Sequence, residues 1–236
     1  MSELENPRGH DVNLRSGPQV REYAEIADRV ARDRPERVLD WGCGFGQMTA
    51  LMSERGLRVD AFNYVPDLDE DGPRPLERYP EHEAYLSSDP VRLPWDDDTF
   101  DAVLSCGVLE HVGRPERSLD ELRRVLRPEG TLYVYKLPNR ASYLEWIARK
   151  AGLYYHGAYP DDRLYDLRDA QALIKRHGFD VVEARRANML PLTLPGRPAA
   201  ALTGPIWVAN RLLARVPLLN RLATNVEVVA VASPGP

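Results

Sequence analysis

The sequence predicts a single α/β domain over residues 1–236, built on a mostly parallel sheet. Short apolar runs alternate with amphipathic stretches along the chain, which is the pattern of βαβ units. One apolar run, residues 38–41, leads into glycines at every second position, Gly42, Gly44 and Gly46, and then into a helical stretch. Glycine permits positive φ and a close approach of the backbone to a ligand. N–H groups at a helix start favour a polar or anionic group, so this turn is the first candidate for a binding site.

Composition narrows the class of protein. The 236 residues suit one α/β domain, since domains commonly run to ~100–200 residues and α/β folds somewhat more. A net charge of −5 gives no dominant basic field, so we expect no nucleic-acid partner. The two cysteines predict neither a disulfide framework nor a zinc site. Because the acidic start has no apolar core and no run approaches ~18 apolar residues, we expect a cytoplasmic protein.

Seven apolar runs bounded by turn residues are predicted strands. In order they are 37–41, 57–64, 83–88, 100–105, 130–136, 179–185 and 225–232. The run 100–105 is predicted to be a fully buried strand. Residues 65–82 contain four prolines, which argues against a long helix there because proline removes a donor and clashes inside a helix.

Helices are predicted where apolar residues recur at spacings of three and four. They are 18–34, 47–55, 115–126, 169–177 and 206–216. Gly56 suits the end of the second of these, and Pro128-Glu129-Gly130 ends the third. The segment 138–166 interrupts the alternation and is rich in aromatic residues, and 188–205 is rich in proline.

The glycine turn by itself is compatible with two ligand classes. A dinucleotide fingerprint needs Gly-x-Gly-x-x-Gly, and Gln47 stands where its third glycine belongs. A nicotinamide oxidoreductase is therefore disfavoured. The pattern present is Gly-x-Gly-x-Gly behind an acidic residue.

Five segments in sequence order extend this pattern: 38–46, 88–95, 100–105, 108–112 and 126–132. Together they resemble the class I S-adenosylmethionine-dependent methyltransferases, and in particular the branch with the ubiquinone and menaquinone biosynthesis enzymes. The resemblance covers roughly residues 36–136. It implies a Rossmann-like seven-stranded methyltransferase sheet with helices on both faces, whose final strand, 225–232, is antiparallel. It also implies S-adenosyl-L-methionine as cofactor and S-adenosyl-L-homocysteine as product.

The resemblance places the amino-acid end of the cofactor at Asp40 and the backbone of Gly42, Cys43 and Gly44, with Gly46 closing the turn. The family's acidic ribose ligand falls at Asn63, next to Tyr64. Asparagine offers one donor and one acceptor there but no charge.

At the adenine end, Asp89 matches the acid that accepts from the adenine amino group. The following residue of the family gives its N–H to the ring, and Pro90 has none. Val91 or a water would have to supply that donor. Asn63 and Pro90 are thus the two departures from the family pattern.

The loop after the fourth strand would border the transferred methyl and contains Cys106 and His111. An imidazole can accept a proton near neutral pH, so His111 is the first candidate for a general base. The alternative is that it only fixes the loop. His156 is the second candidate. We disfavour Cys106 as a nucleophile, and we interpret Asp161 and Asp162 as a solvated turn. No carboxylate cluster indicates a metal.

Residues 1–30, 138–166 and 186–224 are the expected substrate cap. The aromatic segment favours a small apolar or ring-bearing substrate, methylated at O, N or C by in-line displacement. For 206–216 we favour packing on the sheet, with Ile206, Leu212 and Val216 on the inner face, over a membrane-surface contact. The alternative to an enzyme is a non-catalytic binding or scaffold protein that keeps the cofactor fold. The sequence does not determine the oligomeric state.

Overall fold

The structure is a computed structural model, and it describes residues 17–65, 76, 79–151, 162–192 and 197–234, with the backbone alone at 197–201. Its seven strands form one sheet in the order β3-β2-β1-β4-β5-β7-β6. Strand β7 runs antiparallel to both its neighbours, β5 and β6, whereas the pairs on the other side of β5 are parallel. The predicted fold class, including the antiparallel final strand, is confirmed.

The strands are β1 Arg37–Trp41, β2 Arg58–Tyr64, β3 Ala84–Ser87, β4 Phe100–Cys106, β5 Leu126–Pro138, β6 Phe179–Ala187 and β7 Asn225–Ala232. The helices are α1 Gly17–Arg32, α2 Gln47–Ser53, α3 Pro115–Val125, α4 Tyr143–Lys150, α5 Leu167–Arg176 and α6 Arg197–Leu213. Within these described ranges, no helix is long and apolar enough to cross a membrane.

Helices cover both faces of the sheet because successive strand residues point to opposite sides. On β4, Leu104 packs in the cluster beneath α1 and α2, whereas its neighbour Val103 packs in the cluster beneath α3 and α5. Both side chains are fully buried. A central strand that is apolar on both faces is the expected signature of a parallel sheet covered on both sides.

The strand order reverses between β1 and β4, which are neighbours in the sheet. The chain leaves β1 toward β2 on one side and leaves β4 toward β5 on the other. In open α/β sheets, ligands bind beyond the carboxyl ends of the strands at such a switch point. The glycine turn after β1 and the loop after β4 therefore flank the crevice where a ligand is expected.

Strand β5 differs from its predicted range because it begins at Leu126 rather than at residue 130. Leu126 pairs with Phe100, and the register then shifts before Ala102 pairs with Thr131. Glu129 adopts a φ of 65° within this irregularity. The predicted turn at 128–130 is thus a bulge inside the strand.

Helix α6 was predicted over 206–216, but it spans Arg197–Leu213 and contains Pro205. Proline removes one backbone donor from a helix, and here the helix continues through it. The helix ends early because the N–H groups of Arg215 and Val216 turn back to the carbonyls three residues before them, both at 3.1 Å. The predicted inner face of α6 is also wrong in part. Ile206 is 8% exposed as expected, but Leu212 is 58% exposed.

Helix α4 lies in the aromatic segment, where no element was predicted. Ser142 caps it, since its hydroxyl accepts from the backbone N–H groups of Leu144 and Glu145. Trp146 on this helix is 64% exposed.

Candidate functional site

The three glycines of the turn all adopt positive φ, at 79° for Gly42, 50° for Gly44 and 89° for Gly46. A Cβ on Gly42 would lie 2.5 Å from a methyl of Val108, and one on Gly46 would overlap the side chain of Leu76. A Cβ on Gly44 would meet none of the described residues within 4 Å. The outer two glycines are therefore required by close packing, whereas no described residue packs against the Cβ position of Gly44.

The backbone of the turn is tied to the end of β2. The N–H groups of Gly42 and Cys43 both donate to the carbonyl of Phe62, each at 2.9 Å. The N–H of Gly44 donates to Oδ1 of Asn63 at 3.3 Å. The structure thus brings the residue predicted for the ribose into contact with the turn predicted for the amino-acid end.

The carboxyl end of β2 lies beside the glycine turn, at the same edge of the sheet. The amide Nδ2 of Asn63 donates to the carbonyl of Tyr64 at 3.2 Å, and Tyr64 is 42% exposed. Asp60, three residues earlier, is instead paired with Arg37 at 2.8 Å. Since strand residues alternate, Asp60 lies on the opposite side of β2 from Asn63 and is turned away from the site.

Asp40, at the end of β1, is 2% exposed and lies behind the turn. Its Oδ2 accepts a 2.6 Å hydrogen bond from the hydroxyl of Thr49 on α2. Burial raises the pKa of Asp40 to about 6, although the hydroxyl and backbone N–H of Thr49 act in the opposite direction. The carboxylate therefore links β1 to α2 across the turn and is charged at neutral pH.

Asp89 follows β3 at the same edge of the sheet. Its Oδ1 accepts from the backbone N–H groups of Val91 at 2.8 Å and Arg92 at 2.9 Å, and these bonds lower its pKa. From the sequence, the N–H of Val91 was one candidate for the adenine donor that Pro90 lacks. In this structure that N–H closes the turn around Pro90 instead.

The loop after β4 holds a histidine–carboxylate pair. Nδ1 of His111 lies 2.6 Å from Oδ1 of Asp162, and Nε2 lies 3.8 Å from Oε1 of Glu110. The side chain of Asp162 is only 4% exposed, so its interpretation as part of a solvated turn is wrong. Asp162 is buried because its segment pairs with the loop after β4: the N–H of the next residue, Arg163, donates to the carbonyl of Glu110 at 2.9 Å.

Glu110 lies within the segment 108–112, to which the sequence assigned no titratable carboxyl group. It is 3% exposed, and its Oε2 has no hydrogen-bond partner among the residues that the structure describes. Burial raises its pKa to about 7, against the charges of His111 and Lys136, which lower it. A carboxyl group that can hold or release a proton near neutral pH therefore lies beneath His111.

A second buried pair joins α1 to the end of β5. Nζ of Lys136 lies 2.6 Å from Oε2 of Glu22, and the side chains are 17% and 11% exposed. Burial alone would lower the pKa of Lys136, but Glu22, Tyr23 and Cys106 raise it above its usual range. The residues are 114 positions apart, and no motif in the sequence indicates the pair.

Both cysteines are free. Burial raises the pKa of the Cys43 and Cys106 thiols far above the ordinary range. A thiolate is the reactive form, so neither residue is activated as a nucleophile. Across the described part of the chain, no group of three or more His, Cys, Asp or Glu side chains could hold a metal ion.

The predicted cap is only partly described. His156, the second candidate base, lies outside the described residues, as do Tyr154, Tyr155 and Tyr159. The described end of this segment packs on the loop after β4. There the hydroxyl of Tyr165 donates to the carbonyl of Leu109 at 3.3 Å.

Comparison with known proteins gives the class of this fold and site. Residues 39–134, which run from β1 to β5, match the family model described as a methyltransferase domain. This part of the chain is thus similar to methyltransferase domains, and its fold and site resemble those of the class I S-adenosylmethionine-dependent methyltransferases, whose cofactor is S-adenosyl-L-methionine.

Within the class, the sequence is similar to demethylmenaquinone methyltransferases. It is 37% identical to that of Clavibacter sepedonicus over 105 residues, which cover 44% of this chain and 42% of the relative. It is 30% identical to that of Thermus thermophilus, over 53% of this chain and 58% of the relative. The chain thus spans about half the length of these relatives. An uncharacterized methyltransferase of Mycobacterium tuberculosis is 28% identical over 91% of this chain and 88% of its own.

Solved structures share the fold at low sequence identity. A Burkholderia thailandensis 1,6-didemethyltoxoflavin-N1-methyltransferase, with 1,6-didemethyltoxoflavin and S-adenosylhomocysteine bound, has a TM-score of 0.60 at 19% identity, covering 96% of this chain and 83% of its own. A putative sarcosine dimethylglycine methyltransferase from Galdieria sulphuraria also has a TM-score of 0.60, at 17% identity, covering 98% and 96%. At these identities the likeness concerns the fold alone.

Proposed function

We propose that this protein transfers the methyl group of S-adenosyl-L-methionine to an O, N or C atom of a small apolar or ring-bearing molecule. The observation that carries the proposal is the pairing of His111 with Asp162 beside the glycine turn, at the point where the strand order reverses. A cofactor-binding turn and a proton acceptor then face one crevice. The cofactor supplies a methyl group on a sulfonium, which is already a strong donor.

The described residues fit that cofactor. No described residue packs against the Cβ position of Gly44 in the turn, and Asn63 stands beside it with an amide that can both donate and accept. Asp89 has a second carboxylate oxygen besides the one that holds its own turn. In this proposal, Asp40, Gly42, Cys43, Gly44 and Gly46 form the amino-acid end of the pocket.

The ribose and adenine end of the pocket is assigned to Asn63, Tyr64, Asp89, Pro90 and Val91. Asn63 and Tyr64 are the last two residues of β2, and Asp89, Pro90 and Val91 follow β3. These two strands pair in parallel, so their carboxyl ends lie at one edge of the sheet. Cys106, the last residue of β4, and His111, on the loop after it, border the methyl end. Because β3, β2, β1 and β4 are neighbours in the sheet, the two ends of the pocket form one continuous surface for an elongated ligand.

The role of His111 in this proposal is that of a general base. A hydrogen bond from Nδ1–H to the carboxylate of Asp162 leaves the lone pair on Nε2 and stabilises the imidazolium formed when that lone pair takes a proton. Asp162 is thus a positioning residue. The proton would come from the attacking O, N or C of the substrate as it displaces the sulfur in line.

The remaining task of the protein is to align the nucleophile and exclude water. The aromatic residues of 138–166 support a small apolar or ring-bearing substrate, since binding pockets are mostly apolar. The name demethylmenaquinone methyltransferase and the 1,6-didemethyltoxoflavin bound to the Burkholderia protein support a small molecule as the methyl acceptor.

The first test is calorimetric titration with S-adenosyl-L-methionine and S-adenosyl-L-homocysteine. We expect binding of both. If millimolar concentrations of either give neither heat nor a thermal shift, the proposal is wrong. That outcome would favour the alternative of a non-catalytic scaffold, for which the observations are the uncharged Asn63 and the absence of an N–H at Pro90.

The second test concerns the base and uses a panel of phenolic, quinol and amine acceptors, with S-adenosyl-L-homocysteine formation as the readout. His111→Asn should lower kcat about 10²–10⁴-fold without changing cofactor affinity. Asp162→Asn should lower kcat with KM unchanged. The matched control is His177→Asn, because His177 forms an equivalent pair with Asp120, also at 2.6 Å, away from the site. Equal losses in the His111 and His177 variants would contradict the assignment.

A further inference from the structure

Helix α6 and its last turn present aliphatic side chains to solvent. Val208 and Leu212 lie four residues apart on the helix, and Val216 continues this spacing just past the helix end. The N–H groups of residues 214–216 still bond back to carbonyls three or four residues earlier, so the helical winding continues to Val216. The three residues are 49%, 58% and 44% exposed. Because residues four apart share one side of a helix, they form an apolar line, which we call the α6 ridge.

The opposite side of α6 faces the protein. Ile206 and Asn210 are 8% and 6% exposed, and Oδ1 of Asn210 accepts from the backbone N–H of Leu190 at 2.6 Å. Residues two apart on a helix lie about 200° apart around its axis, so the α6 ridge points away from the protein. The predicted packing on the sheet placed Leu212 and Val216 on the inner face, and their exposure contradicts that part of the prediction. A membrane-surface contact was the alternative to that packing.

Exposed aliphatic residues continue into the turn before β7. Leu218 is 70% exposed and Leu222 is 43% exposed. Together with the α6 ridge, the stretch 208–222 exposes five large aliphatic side chains. Single exposed apolar residues are normal, whereas a concentration of them marks a site of interaction.

Positive charge accompanies these aliphatic side chains. Arg211 and Arg215 each follow a ridge residue by three positions, so they lie along one side of the α6 ridge. Among the residues that the structure describes, neither of them forms an ion pair, and Arg221 in the following turn forms none either. The chain has no Asp or Glu from residue 184 to residue 226. The segment is therefore cationic, in a chain whose net charge is −5.

We propose that the α6 ridge and the arginines beside it bind the surface of a membrane that contains anionic lipids. Aliphatic side chains next to guanidinium groups are typical of helices that lie on a membrane. The aliphatic side chains enter the layer between headgroups and acyl chains, and the arginines contact lipid phosphate groups. The proposal does not depend on the methyl-transfer activity.

A membrane fits this surface better than a protein partner does. A second copy of the chain would offer the same segment, which contains no carboxylate to pair with its arginines. Protein interfaces centre on anchoring side chains that fill pockets. No residue of the α6 ridge lines the cavity between α1 and α6. A lipid surface needs no pocket, because its headgroups and acyl chains rearrange around the side chains.

The test is sedimentation of the whole chain with phosphatidylcholine vesicles, prepared with and without phosphatidylglycerol. At low salt, we expect binding to the vesicles with phosphatidylglycerol to be at least about tenfold stronger than to those without it. This preference should disappear in high salt, because the screening length falls to about 3 Å at 1 M.

Variants of the ridge test its aliphatic side chains. Val208→Gln and Leu212→Gln should each weaken vesicle binding about tenfold, because each carries a polar group into the apolar layer. The matched control is Val182→Gln, at a position on β6 that is 61% exposed, and it should bind as the wild type does. Since all three positions are exposed, the thermal midpoints should stay close to that of the wild type.

A second pair of variants tests the charge. Arg211→Gln combined with Arg215→Gln should weaken binding to vesicles with phosphatidylglycerol about tenfold or more. Arg168→Gln combined with Arg176→Gln removes the same charge from α5, on the face of the sheet opposite α1, and should leave binding unchanged.

Four outcomes would each overturn the proposal. They are equal binding to both kinds of vesicle, unchanged binding in both ridge variants, an equal loss in Val182→Gln, and an equal loss in the two double arginine variants. A dimer in analytical ultracentrifugation that Leu212→Gln abolishes would assign the α6 ridge to a second copy of the chain instead, and would also overturn it.

Discussion

Replacing Glu110 with glutamine should remove a large part of the pH dependence of folding stability. In the folded protein this carboxyl group is 3% exposed, with one oxygen unpartnered among the described residues, and burial raises its pKa from 4.5 to about 7. Between those two values the folded state holds a proton that the unfolded state has released. The stabilisation is therefore complete below pH 4.5 and is lost as the pH rises through 7.

The size of the effect follows from the two pKa values of Glu110. Holding the carboxylate buried at high pH costs the folded state about 3 kcal/mol relative to acid conditions. Between pH 5.5 and pH 8.5, the part that is lost amounts to about 2 kcal/mol. Glutamine has nearly the same shape and does not titrate, so Glu110→Gln should lack this loss.

The measurement is urea denaturation at several pH values, followed by tryptophan fluorescence, for which Trp41 beside the turn is a buried reporter at 6% exposure. The free energy of unfolding of the wild type should fall by about 2 kcal/mol more than that of Glu110→Gln over this range. Glu54→Gln, at an exposed position, is the control and should follow the wild type. Parallel curves for the wild type and Glu110→Gln would refute the account of Glu110.

Three further outcomes follow from the turn. Thr49→Val should destabilise the fold by about 1–3 kcal/mol in chemical denaturation because it leaves Asp40 buried without its hydroxyl donor, whereas Thr49→Ser should stay near the wild type. Calorimetry should show that cofactor affinity falls between about pH 7.5 and pH 5.5, because Asp40 is protonated near pH 6. A flat affinity profile in Asp40→Asn would support Asp40 as the origin of this pH dependence. Gly42→Ala should unfold at lower urea than Gly56→Ala, because both residues have a φ of 79° but only the first Cβ would strike Val108; equal midpoints would contradict the packing argument.

Strong local signals determined what the sequence could predict about the fold. The bounds of β1 and β7, Arg37–Trp41 and Asn225–Ala232, match the predicted ranges because both are short apolar runs bounded by turn residues. The extra length of β5 was not predictable, because Leu126 joins it through pairing with Phe100 on another strand. The long α6 was missed because Pro205 is locally unfavourable inside a helix and only the tertiary context determines that the helix continues.

The candidate site shows the same division between local and distant information. The positive φ values of the turn could be predicted from the glycines alone. The burial of Asp162 could not, since it depends on contact with His111, 51 positions away. The raised pKa of Glu110 likewise depends on enclosure by segments distant in sequence. The assignment of all the cofactor residues remains a prediction.

The measurement that tests the central claim most directly compares the affinity for S-adenosyl-L-homocysteine of Gly44→Ala and Gly56→Ala. Both glycines have positive φ, and no described residue lies within 4 Å of either Cβ position. Both variants should therefore lose about 1–2 kcal/mol of the free energy of unfolding. The added methyl at Gly44 would occupy the crevice in front of the turn and should weaken binding at least about tenfold. Gly56→Ala should bind as the wild type does. Equal affinity in both variants would contradict the claim that the cofactor lies over the glycine turn.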